Sequence, residues 1–145
     1  MNNVDHAISC FKKGFSCSQA ILSTYGRQFD LNHELALKIS TAFGGGMAMG
    51  KVCGAVTGAF MVIGLKYGRI KIDEEGAKEK TYELVREFVN RFKARNGAII
   101  CKKLLNCNPS TPEGRRFAKE KNLFTTLCPK FVQDSAEIIE EILKD

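Results

Sequence analysis

The chain has 145 residues, 44% of them apolar and 26% charged, with a formal net charge of +6 and six cysteines. That length suits one domain able to bury a core without disulfide staples, and the composition is that of an ordinary globular protein. The first residues, Met1 to His6, show no basic start followed by an apolar segment and a cleavage site, so a reducing cytoplasm is the expected compartment. There, six cysteines point to catalysis, redox chemistry or metal binding rather than to a disulfide framework.

Helical periodicity begins at about Val4 and runs to Lys13, with Val4, Ala7, Ile8 and Phe11 on one face, and Gly14 ends it. Ser16-Cys17-Ser18-Gln19 is a capping box, with Ser16 as N-cap, Gln19 at the third helical position and Cys17 at the first. This second helix extends to about Tyr25, where Gly26 suits a left-handed C-cap. Asn32 is the N-cap expected for a third helix whose buried stripe is Leu35, Ile39 and Ala42 or Phe43. Gly44-Gly45-Gly46 stops it.

The stretch from Gly44 to Gly50 lacks the Lys-Ser/Thr ending of a phosphate-binding loop, so it gives nucleotide binding no support. It leads into Cys53-Gly54-Ala55-Val56-Thr57-Gly58, the start of a buried core helix. The apolar run from Cys53 to Leu65 falls short of the roughly 20 residues a membrane span needs. Gly54 and Gly58 lie one turn apart on one face. Glycine inside a helix costs about 1 kcal/mol relative to alanine, so the pair implies close packing of a second backbone or access to the neighbouring sulfur.

A longer amphipathic helix is expected from about Asp73 to Asn96, with Tyr82, Val85, Phe88, Val89 and Phe92 on its apolar side and Gly97 at its end. Ile99 to Leu105, which contains Cys101, reads as a short helix or turn. Thr111-Pro112 opens a further helix, and Cys128-Pro129 begins the last, carrying Phe131, Val132, Ile138, Ile139 and Ile142. No alternating strand pattern appears. The expectation is an all-α fold, a compact single helical domain over residues 1–145 built from about six or seven helices.

Cys17, Cys53 and Cys128 thus each fall at a helix N-terminus, where free N–H groups and aligned peptide dipoles favour a thiolate. The dipole contributes about 0.3 to 1 kcal/mol per site, and several N–H groups donating to one sulfur add to it. Cys10 and Cys107 read as small buried hydrophobes. His6 and Cys10 share a helix face, but two ligands do not make a metal site, and His33 reads as a surface residue. Met47 and Met49 read as core fillers ahead of soft ligands. No Ser-His-Asp arrangement exists, so hydrolase chemistry finds no support. Basic residues outnumber acidic ones between Arg86 and Lys121. A solvated helix face explains this better than a nucleic-acid surface, and an adaptor that binds an anionic partner is the reading from a different functional class.

Gly14-Phe15-Ser16-Cys17-Ser18-Gln19-Ala20, the glycine loop, Cys53 to Gly58, and the later Cys101 and Cys128 together resemble the C_GCAxxG_C_C family of redox-active proteins, from about Gly14 to Phe131. Cys53 to Gly58 matches that family's Cys-Gly-Ala-x-x-Gly motif at every fixed position. The resemblance implies redox work and places the family's four cysteines on Cys17, Cys53, Cys101 and Cys128, with Cys107 competing for the third position. Two chemistries remain open. As an oxidoreductase of thiols, the protein uses Cys53 as nucleophile and Cys17 as resolving thiol, with a redox protein or a small thiol or disulfide as partner. No C-x-x-C motif is present, so such a pair has to form through the tertiary fold. As a structural or storage metal-binding protein, it ligates zinc or an iron–sulfur cluster through Cys17, Cys53, Cys101 and Cys128, although their spacing matches no standard ligand pattern. Substrate, electron donor and oligomeric state have no signature in the sequence.

Overall fold

In the computed structural model, which describes residues 1–144, the chain forms α1 (Asn3–Lys12), α2 (Cys17–Gly26), α3 (His33–Ser40), α4 (Gly54–Tyr67), α5 (Glu75–Asn96), α6 (Cys101–Leu104), α7 (Pro112–Glu120), α8 (Leu123–Thr126) and α9 (Cys128–Leu143). Among the described residues the only strand-like pairing is one antiparallel bridge between Val52 and Ile100, so the expected all-α class holds. There are more segments than the six or seven expected. Of the two four-residue segments, α6 falls where the sequence reads as a short helix or turn, and α8 is the one not expected, being too short to show a helical period.

Helix α4 is the axis of the fold. Gly54 to Ala59, Val62 and Ile63 are buried on every side of it, and a helix with no polar face has to be enclosed. Helices α2, α5 and α9 pack around it, and α1 and α3 cover α2. From α9 come Val132, Ile138, Ile139 and Ile142, all buried. Each such aliphatic side chain contributes about 1.5–3 kcal/mol on leaving water. Between α4 and α5, Phe60 meets Phe88 edge-on at 6.1 Å, Phe88 stacks on Phe92 at 5.9 Å, and Phe92 reaches Phe131 of α9 at 6.4 Å. Buried polar groups are spliced into this core by hydrogen bonds: Ser18 donates to the Ser40 carbonyl at 2.8 Å, and Ser135 donates to the Ala55 carbonyl at 2.7 Å. Arg91 and Arg95 of α5 pair with Glu87 and with Asp134, Glu137 and Glu141 of α9. Part of the basic excess noted in the sequence is therefore neutralised within the protein.

Three local expectations change. Gly26 is not a left-handed cap: its φ is −64°, the chain continues into a tight turn at Arg27–Phe29, and the left-handed residue is Asp30. A Cβ there would lie 3.0 Å from the end of the Leu31 side chain, so a larger residue would require Leu31 to shift. In α3, Leu35 and Ile39 are about half exposed while Ala36 and Ser40 are buried, because α3 meets α2 through its small residues and the Ser18–Ser40 bond fixes that face. In α5, Tyr82 is exposed and Leu84 takes the buried place beside Phe88 and Phe92.

The paired glycines of α4 answer the choice that the sequence left open. A Cβ on Gly54 would stand 2.9 Å from the Ser18 nitrogen and 3.3 Å from the Cys17 Cβ, and one on Gly58 would stand 3.1 Å from the Ile21 Cβ. Their hydrogens are what let α2 and α4 touch backbone to backbone. Gly64, two turns further on, has nothing within 4 Å of the same point. Gly54→Ala is therefore expected to lower unfolding free energy by about 1–3 kcal/mol through overpacking, whereas Gly64→Ala raises it by about 0.5–1 kcal/mol through helix propensity. Urea denaturation of both variants checks the pair, and equal effects would contradict the packing assigned to Gly54.

Candidate functional site

Four separate chain segments deliver one cysteine each to the same place. The capping box at the start of α2 is formed as the sequence predicts: the Gln19 amide N–H donates to Ser16 Oγ at 3.3 Å, and the Ser16 N–H donates to Gln19 Oε1 at 3.0 Å. Gln19 Nε2 also donates to the Leu37 carbonyl at 3.1 Å, which ties that helix start to α3. Cys17 is consequently fixed as the first residue of α2. Cys53 is the N-cap of α4, and the contact made at Gly54 seats it beside Cys17.

The Val52–Ile100 bridge does the same for the other side of the site. The Cys53 N–H donates to the Ile99 carbonyl at 2.8 Å, and the Cys101 N–H donates to the Lys51 carbonyl at 2.6 Å. Two residues that are distant in sequence are held in register by these two bonds. The loop leading into the bridge is contorted: Gly45, Gly46, Met47 and Ala48 all have φ near +60°. Left-handed backbone costs a non-glycine residue roughly 1–2 kcal/mol, so Met47 and Ala48 carry strain. Gly46 has to lack a side chain, because a Cβ would fall 2.5 Å from the Lys51 nitrogen and 2.9 Å from the Cys101 Cβ. Cys128 completes the set as the first residue of α9.

Cys17, Cys53, Cys101 and Cys128 line one cavity of about 190 Å³, walled otherwise by Phe11, Leu104, Leu105, Pro109, Phe124 and Phe131, with Ser16, Gly45 and Gly54. All four are free thiols. Cys53, Cys101 and Cys128 are buried, and Cys17 is half-buried. Of the two candidates for the third position, Cys101 lines the cavity. Cys107 lies outside that lining, half-buried. Cys10 is buried elsewhere, its sulfur 3.8 Å from Ser23 Oγ. Met49 is exposed rather than a core filler, and His6 bonds Thr24 Oγ1 at 3.0 Å through Nδ1. No group of three or more His, Cys, Asp or Glu side chains is spaced to hold a metal ion among the described residues. The cavity cysteines thus do not close on a common ligand point.

The thiols around the cavity are electrostatically unequal. Cys17 is held protonated well above the ordinary thiol range, chiefly because its S–H donates toward Cys128 and Cys53, with burial adding to the effect. Cys53 moves the other way. The Cys17 donor lowers its pKa first, and the Ala55 and Val56 N–H groups at the open end of α4 lower it further, against the opposing effect of burial. Burial pushes Cys101 up to about 12, helped by nearby Cys53 and Cys128. Burial, with Cys128 nearby, also raises Cys107. Cys53 is therefore the thiol whose ionised form the site favours, and Cys17 is an adjacent proton donor.

The apolar wall was not legible in the sequence. Phe11 and Phe131 were readable as core positions, but Leu104, Pro109 and Phe124 sit in short or irregular segments with no period to expose them.

An all-helical protein with four cysteines gathered at helix starts around one cavity is a thiol-site protein by its architecture. Over residues 15–142 the chain matches the family described as "Putative redox-active protein (C_GCAxxG_C_C)", and it belongs to that family. No curated protein and no solved structure matches it. No helix among the described residues is long and apolar enough to cross a membrane.

The Cys17–Cys53 asymmetry has a measurable consequence. In Cys17→Ala the hydrogen-bond donor is lost, and the Cys53 pKa is expected to rise toward the ordinary thiol value of about 8.5 or above. Cys17→Ser retains an O–H donor and keeps the value depressed. The pH dependence of iodoacetamide labelling at Cys53, followed by peptide mass spectrometry, reads the difference. Identical profiles for the two variants would remove the role given to the Cys17 proton.

Proposed function

We propose that the protein is a thiol oxidoreductase in which Cys53 and Cys17 cycle between dithiol and disulfide. The carrying observation is the convergence of Cys17, Cys53, Cys101 and Cys128, each from a different helix start, on one cavity that no single sequence motif could build. Cys53 is the nucleophile, since its neighbours favour the thiolate. Cys17 is the resolving thiol, adjacent and protonated, so its proton is available to a departing thiolate. Cys101 and Cys128 complete the sulfur-lined wall. A mixed disulfide at Cys53 is then attacked by Cys17, which leaves the Cys17–Cys53 disulfide and a released thiol. Such a couple rests as the dithiol in a reducing compartment, in keeping with a cytoplasmic setting, and it needs a redox partner protein or small thiol to restore it.

Mild oxidation of the reduced protein with diamide is expected to consume two thiols, with peptide mapping locating the bridge at Cys17–Cys53 and dithiothreitol restoring both. Cys53→Ser abolishes the bridge. Protein that retains all six thiols, or that bridges other cysteines, overturns the assignment. Stoichiometric zinc or iron that co-purifies anaerobically and is lost in Cys53→Ser selects the metal reading instead.

A further inference from the structure

The walls of the cysteine cavity show what can reach Cys53. No charged side chain lines it, and Ser16 supplies the only side-chain hydroxyl. Cys53 itself is 3% exposed, so reagents meet it through the cavity rather than across the protein surface. The volume of about 190 Å³ admits a molecule little larger than benzene, which occupies apolar voids of about 150 Å³. Adjacent to it lies a wider groove whose lining includes Phe11, Lys12, Phe15, Phe124 and Pro129. Phe11 and Phe124 belong to both spaces, so these two rings stand at the boundary between them, where a neck would lie. Lys12 is the only charged residue of the outer groove, and nothing inside continues its charge.

A charged reagent that passed between these rings would lose its water; an anion would meet only the like charge of the Cys53 thiolate, and a cation would find no charged group except that one thiolate, so entry with a charge is disfavoured in this apolar site. A peptide segment or a tripeptide disulfide exceeds the space. The geometry points to a small, uncharged, apolar disulfide as the electron acceptor of the Cys53–Cys17 couple, admitted between Phe11 and Phe124. This rests on the dithiol reading above and adds the substrate class to it. The Cys53 thiolate attacks one sulfur of the acceptor, forming a Cys53–S–S–R bond and breaking the acceptor's S–S bond. The departing thiolate takes the Cys17 proton. The Cys17 thiolate then attacks the Cys53 sulfur, forming the Cys17–Cys53 bond and expelling the second thiolate, which is protonated from solvent. Two electrons pass from the protein to the acceptor, and two small thiols are released.

The test is a single turnover of the reduced protein with diethyl disulfide, dicationic cystamine, dianionic dithiodiglycolate and glutathione disulfide. Each rate is divided by the rate of the same reagent with a free small thiol, to remove intrinsic reactivity. Diethyl disulfide is expected to oxidise the couple at least about tenfold faster than any charged reagent on this scale, because only it enters without desolvating a charge. Phe124→Ala widens the neck and is expected to raise the normalised glutathione disulfide rate, with circular dichroism confirming that the variant is folded. Normalised rates within about threefold of one another in the wild-type protein would show no selection at the neck and overturn the substrate class. Diamide separates the two levels of the reading: if it forms the Cys17–Cys53 bridge while the four disulfides show no selectivity, only the substrate class fails. If even diamide forms no such bridge, the couple itself fails.

Discussion

The site depends on one contact, the backbone-to-backbone approach of α2 and α4 at Gly54 and Gly58. A methyl group at either position would meet Ser18 or Ile21 at close to 3 Å. Without that approach, the starts of the two helices separate, and Cys17 and Cys53 separate with them. The glycines cost helix propensity, and that cost is offset because α4 has no polar face and gains from being enclosed. The packing of the core and the juxtaposition of two thiols are thus consequences of the same two residues.

A second constraint acts from the opposite side. The short bridge through Lys51, Val52, Ile99 and Ile100 holds Cys53 and Cys101 in register, and the left-handed turn at Gly45 to Ala48 feeds the chain into it. That turn stores strain at Met47 and Ala48. Such strain persists only where the surroundings over-determine the conformation, and here Gly46 is wedged between Lys51 and Cys101. Cysteines buried in this way would ordinarily be inert. For Cys53 the donor it faces and the N–H groups at the start of α4 lower the thiol pKa against the effect of burial.

The sequence was most informative where local rules suffice. The capping box at Ser16, the N-caps at Asn32 and Thr111, the Gly97 terminus and the helix beginning at Cys128 are all present, because each depends on residues within one turn of one another. It misled where a helix had to choose among several faces. Leu35 and Ile39 look like a core stripe but stay about half exposed, since α3 turns Ala36 and Ser40 inward and Ser18 of α2 bonds the Ser40 carbonyl. Gly26 looks like a left-handed cap but has ordinary helical φ, with Leu31 packed closely against it.

The identity of the cysteines worth watching and their placement at helix starts followed from the amino-acid order, since capping and proline signals are local. Their meeting did not. Cys17, Cys53, Cys101 and Cys128 become neighbours through a glycine contact, a two-residue bridge and the docking of α9, all between segments far apart in the chain. The opposite shifts of the Cys17 and Cys53 thiols, and the apolar cavity wall to which Phe11 and Phe124 contribute, were likewise decided by tertiary structure. Electrostatic fields and cavity walls depend on distances through space, which a linear sequence does not carry.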